Sequence, residues 1–143
     1  MDDYDADILE WSEHQAALLR RAAAGERVND LDWPNIIGEI ESLGRSETRA
    51  CASLLTQMLF QQLKIAAWPN ATAVAAWAEE AAQLRWEAAD AFAPSMRQRL
   101  DVAKIYAAAL RELRKMPQTI DGQKALPVPD HNAATLDELL SES

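Results

Sequence analysis

One cysteine, two histidines and four glycines are spread over 143 residues, and each shortage excludes a class of protein. A lone thiol, Cys51, cannot close an internal disulfide, so a reducing compartment is the simpler expectation. No histidine lies near it in sequence, and a Cys on the apolar stripe of a helix ordinarily behaves as a small apolar residue. His14 and His131 are too few for a histidine-built metal centre. Glu10 and His14 stand four apart on a helix, but no Glu-x-x-His pair supplies the signature of a di-iron bundle. We therefore expect no metal and no cofactor. There is no Gly-rich phosphate loop and no Gly-x-Ser-x-Gly elbow, which removes the commonest nucleotide-binding and hydrolase motifs. No apolar run approaches a membrane span. The opening Met1-Asp2-Asp3-Tyr4-Asp5 is the reverse of a basic signal-peptide start, so the expected location is the cytoplasm, with no membrane partner.

Positive charge is also scarce. Fourteen Lys and Arg face 23 Asp and Glu, for a net charge of −9. Phosphate affinity comes from cationic side chains, so the balance argues against a nucleic-acid partner. The charge is unevenly placed: residues 1–47 carry −8, residues 48–116 carry +3 and residues 117–143 carry −4. Acidic and basic parts are expected to meet, within one chain or between chains.

What the sequence has in quantity is alanine and helical periodicity. Few glycines and few β-branched residues favour an all-α fold. Ile8, Trp11, Gln15, Leu18 and Ala22 recur at three and four and predict a first helix from about Asp5 to Ala24, stopped by Gly25. Gln15 is the polar exception on that stripe. Asp32 is a good N-cap for a second helix, Trp33 to Ala67, with Pro34 tolerated in its first turn and Pro69 beyond its end. Its stripe reads Ile36, Ile40, Leu43, Glu47, Cys51, Leu54, Met58 and Leu63. At 1.5 Å per residue such a helix is roughly 50 Å long, and Gly44 either breaks it or bends it. A third helix is expected over 72–92, with Val74, Trp77, Ala81, Leu84 and Ala88 inward. A fourth is expected from Ser95 to Met116, with Leu100, Ala103, Ala107 and Leu110 inward. Pro127 and Pro129 favour an extended tail. Thr135 and Glu138 form a capping box for a short last helix, docked by Leu136, Leu139 and Leu140. The whole reads as a single domain over 1–143, with a four-helix bundle over 1–116 and a tail over 117–143. No strand is expected.

If the first two helices form an antiparallel hairpin, Ala24 lies near Asp32, Trp11 falls near Gly44, and Gln15 falls near Ile40 to Leu43. Gly44 would then give the indole room. Such a hairpin is thinly covered by its own chain, and a second subunit would cover it, which predicts a homodimer.

Several segments resemble a bacterial family known as domain of unknown function twenty-nine. They are Tyr4-Asp5-Ala6-Asp7 with Trp11, Gln15, Leu18, Leu19 and Arg20; Leu31-Asp32-Trp33 with Asn35 and the run Glu39 to Glu47; Leu63-Lys64; Trp77; Pro94-Ser95-Met96-Arg97 with Tyr106; and Thr135 to Leu140. The resemblance spans nearly the whole chain. It implies a helical bundle and a bacterial source, and no activity. The chain departs from the pattern at Gln61 and Gln62, where a His is usual, at Ile65, where an aromatic is usual, and at Glu79 and Glu80, where bases are usual.

Trp11, Gln15, Glu39, Glu41, Ser42, Arg45 and Glu47 form the candidate cluster. Glu41 and Arg45 are spaced for a helix ion pair, while Gln15 and Glu47 lie on apolar stripes and so need partners. The cluster reads either as a device that fixes hairpin register or a dimer contact, or as a small polar pocket closed by Trp11 and Trp33. Arg97, Lys104, Arg111 and Lys115 line one side of the fourth helix, as a solvated face or as a docking surface for a negatively charged protein. The five tryptophans read as core or interface anchors. The leading expectation is a non-enzymatic helical protein acting through protein–protein contact or self-association. The alternative is a small-molecule binding protein or enzyme using Glu39 to Glu47.

Overall fold

Alanine-rich stripes and well-placed caps generate the observed helices. The computed structural model describes residues 4–141. Four longer helices and one short one follow in order: α1 (Ile8–Ala23), α2 (Trp33–Ala67), α3 (Val74–Ala91), α4 (Val102–Arg114) and α5 (Leu136–Leu140). A single 3-10 turn spans Pro94–Met96, and a two-residue hairpin pairs β1 (Thr119–Ile120) with β2 (Gln123–Lys124). The protein is all-α. Packing groups it into two compact units, Met1–Arg45 and Ser46–Ser143. The division falls inside α2 and not in a linker, so composition along the chain gives no sign of it.

In the first unit, Asp7 caps α1 by accepting from the Glu10 backbone N–H at 3.0 Å. Arg20 and Arg21 sit in its last turn, where cations offset the carbonyl end of the helix dipole. Gly25 adopts φ +95°, a left-handed conformation that stops the helix and suits glycine. Trp11, Gln15 and Leu18 on α1 and Ile36 on α2 are buried. The helix through Gly44 is continuous, which settles the choice between a break and an unbroken run. A Cβ added at Gly44 would meet nothing within 4 Å, so Gly44 makes no room for the Trp11 indole. The hairpin register also differs from expectation. Trp11 and Gln15 meet Asp32, and Tyr4 meets Glu39. Residues 24–31 are long enough to run back along α1, so Asp32 reaches the level of Trp11 and not of Ala24.

In the second unit the α2 stripe is Cys51, Leu55, Met58, Leu59 and Leu63, all buried. It packs with Ala81, Leu84 and Ala88 of α3 and with Ile105, Tyr106, Ala109, Leu110 and Leu113 of α4. The fourth helix starts at Val102, not Ser95. Asp101 is its cap, accepting from Lys104 N–H at 3.2 Å. The residues before it form the 3-10 turn that seats Met96 and Leu100 in the core. Ala103 and Ala107, expected inward, are exposed. The unexpected hairpin turns on Asp121 and Gly122, with φ of 52° and 78°, the positive-φ pair that a two-residue Asp-Gly turn needs. The Asp121 carboxylate also accepts from Thr72 N–H at 2.8 Å, and Leu126 N–H donates to the Ala67 carbonyl at 2.9 Å. Together these contacts hold the extended tail on the end of α2. Tyr106 donates its phenol proton to the Pro129 carbonyl. The Thr135–Glu138 capping box forms as the sequence predicts, and Leu136 and Leu139 are buried.

Candidate functional site

Asp32 stands at the N-terminus of α2, where four backbone N–H groups lack helical partners. Its Oδ1 accepts from Asn35 N–H at 3.4 Å, and its Oδ2 accepts from the Asn35 side-chain amide at 2.7 Å. The Trp11 indole Nε1 donates to the same Oδ2 at 2.9 Å. The Asp32 backbone N–H donates to Gln15 Oε1 at 2.9 Å, which satisfies the polar exception of the α1 stripe. These donors, the Asn35 amide first and the Trp11 indole next, hold the Asp32 carboxyl below the usual carboxylate range against the opposing effect of burial. Tyr4 packs edge-on against Trp11, with ring centroids 4.8 Å apart. Its hydroxyl donates to Glu39 Oε1, and that bond raises the phenol's pKa. The result is a polar clasp that pins one turn of α1 to the start of α2.

The seven candidate residues do not converge. Trp11 and Gln15 gather on Asp32, and Glu39 on Tyr4. Arg45 reaches back to Ser42, its Nη2 lying 3.1 Å from Oγ. Glu41, Arg45 and Glu47 are exposed, as is Trp33, which therefore closes no pocket with Trp11. Asp32 and Asn35 are the members that the sequence reading left out of the cluster. The Asp-x-x-Asn spacing at a helix start was the signal for them.

An apolar surface lies beside this clasp. Of the eight large apolar side chains that stand exposed among the described residues, six fall between Ile8 and Leu43. On α2 they are Trp33 at 54% exposure, Ile37 at 51%, Ile40 at 67% and Leu43 at 64%. Ile40 and Leu43 were expected inward with Glu47, and all three face out. Single exposed apolar residues are ordinary, but a contiguous group on one helix face marks a contact surface.

The second unit holds one unusual buried cation. Lys64 is 8% exposed, with Nζ 4.5 Å from the Phe60 ring centre and 4.9 Å from that of Trp77. Burial pushes its pKa down, and Glu80 partly opposes this. Ring faces stabilise an ammonium less than water does, so the rings and the nearby Glu80 repay only part of the desolvation. Cys51 is fully buried, its thiol pKa raised by burial, which leaves it a packing residue. The expected basic line on the fourth helix is broken up. Arg97 lies before α4 and pairs with Asp137 at 2.9 Å, while Lys115 pairs with Glu112 at 2.9 Å. No group of three His, Cys, Asp or Glu side chains among the described residues is placed to hold a metal ion. No helix among them is long and apolar enough to cross a membrane.

These features define a small all-α protein with an exposed apolar helical face on α2. The family model described as Domain of unknown function DUF29 matches residues 4–143, so the chain belongs to that family. A solved α-helical protein of unknown function from Rhodospirillum rubrum is 28% identical, with a TM-score of 0.69 covering 99% of this chain and 91% of that one. No curated protein matches the chain.

Proposed function

We propose that this is a cytoplasmic, non-enzymatic helical protein that works through protein–protein contact, self-association included, with the apolar face of the first hairpin as its contact surface. The observation that carries this reading is the concentration of exposed apolar side chains between Ile8 and Leu43. Their uncovered area on α2 alone is roughly 500 Å², the size of the largest surface patch on a typical small protein, which is often functional. The clasp at Asp32 supports the reading. It uses the buried Gln15 and the half-buried Asp32 and Asn35 to fix where α2 begins relative to α1, which is what a presented helical face requires. A single buried cysteine suits a reducing compartment.

Light scattering on the full chain over a dilution series from high to low micromolar tests the proposal. A mass above that of one chain that falls on dilution supports self-association. A single-chain mass at every concentration removes self-association from the proposal.

A further inference from the structure

We propose that the occupant of this face is a second copy of the chain, paired antiparallel through α2 about a two-fold axis between Gly38 and Glu39. Trp33 of each copy then packs over Gly44 of the partner subunit. This rests on the reading that the hairpin face is a contact surface, and it adds the partner and the register.

The stripe is self-complementary. Trp33, Ile37, Ile40 and Gly44 follow one another at intervals of four, three and four, which read the same in both directions. An isologous contact brings residue i against j and j against i. About this axis the largest side chain meets the smallest residue, and Ile37 meets Ile40 of the partner subunit. The space over Gly44 is open, since an added Cβ would touch nothing within 4 Å. A parallel pair would instead set indole against indole at one end and leave a void at the other, and both are destabilising in a packed contact.

Charge permits this pairing although residues 1–47 carry −8. Trp33, Ile37, Ile40 and Gly44 themselves carry no charge. Glu41 lies roughly 80° around the helix from Trp33 at 3.6 residues per turn. Glu39 lies on the other side and accepts from Tyr4. Like charges therefore do not face each other at the axis itself; toward the ends Glu47, which faces out on the same side, comes against the acidic start of the partner's hairpin, so association should strengthen with added salt. With Leu43 at its edge the face offers roughly 500 Å² from each copy, about 1,000 Å² in total, the size of a weak, concentration-dependent interface.

Site-directed crosslinking tests the register. A disulfide forms only when the two Cα atoms come within about 7 Å. Cys51 is fully buried and does not compete. The W33C and G44C variants are oxidised separately and as an equimolar mixture, and the Ile37→Cys and Ile40→Cys pair is treated likewise to keep Trp33 in place. The expected result is a covalent dimer that forms at least tenfold faster in each mixture than in either W33C or G44C alone, because like positions sit about 16 Å apart along the axis. Rapid crosslinking of W33C with itself overturns the antiparallel register. So does absence of crosslinking in both mixtures while light scattering still gives a dimer. A chain that is monomeric by light scattering removes the self-association reading itself, so the two failures are distinguishable.

Discussion

The Trp11 indole N–H donates to the Asp32 carboxylate at 2.9 Å, joining the buried face of α1 to the first turn of α2. Trp11→Phe keeps a ring beside Tyr4 but removes the donor. The expected cost is about 1 kcal/mol, typical of one hydrogen bond, read from urea unfolding followed by circular dichroism.

The same carboxylate sets a pH dependence. Hydrogen bonds from Asn35 and Trp11 lower its pKa in the folded chain. The unfolded chain then binds more protons, so stability rises with pH across the interval between the lowered value and the ordinary value of about 4. The contribution is complete above that ordinary value and is lost as pH falls through the lowered one. Thermal melts of Asp32→Asn from pH 7 to pH 3 are expected to show a shallower acid-side decline than the parent. An unchanged slope would show that other carboxylates set it.

Two glycines are expected to respond in opposite senses. Gly122 holds φ +78° in the hairpin turn, and Gly122→Ala should cost about 1 kcal/mol. Gly44 lies inside α2 with open space at its Cβ, and Gly44→Ala should stabilise the helix by about 0.5–1 kcal/mol. In the two-fold pairing that methyl sits where the partner subunit's Trp33 packs. Gly44→Ala should therefore raise the unfolding midpoint at low concentration while weakening association. Calorimetry beside a dilution series separates the two effects.

Lys64 offers a further check. Its amine pKa is lowered by burial, so the unfolded chain again binds more protons. Stability should rise with pH between the lowered value and the ordinary value of about 10.4. Lys64→Met removes the buried charge and keeps the stem between Phe60 and Trp77. Its stability at pH 7 should be unchanged or higher by up to about 1 kcal/mol, with the alkaline rise abolished. Alkaline melts of both proteins make the comparison.

The limits of α2 were legible because Asp32 and Pro69 are local punctuation, and the last helix because its capping box is local. The start of α4 is not legible from local signals. Ser95 after Pro94 reads as a cap, but Asp101 holds that role, and only the packing of Met96 and Leu100 decides between them. The partner of Gln15 is the Asp32 backbone N–H, which no side-chain pattern records. Its register follows from the path of residues 24–31. The periodicity of Ile36, Ile40 and Leu43 gave a correct apolar helix face. It carried no information on what covers that face, so Ile40 and Leu43 were placed inward. The Asp121-Gly122 turn was present in the sequence as a hairpin signal, but its strands are too short for alternation to reveal them.

The central claim is that the face of α2 bearing Ile37 and Ile40 joins two copies of the chain. Sedimentation equilibrium on the parent and on Ile40→Glu tests it most directly, since a two-fold contact buries the new charge twice. The account predicts a parent mass approaching twice 15.9 kDa at high micromolar concentration. It predicts a dissociation constant raised on the order of 100-fold in the variant, with helix content unchanged. A parent that stays at the mass of one chain, or a variant that associates as tightly as the parent, would contradict it.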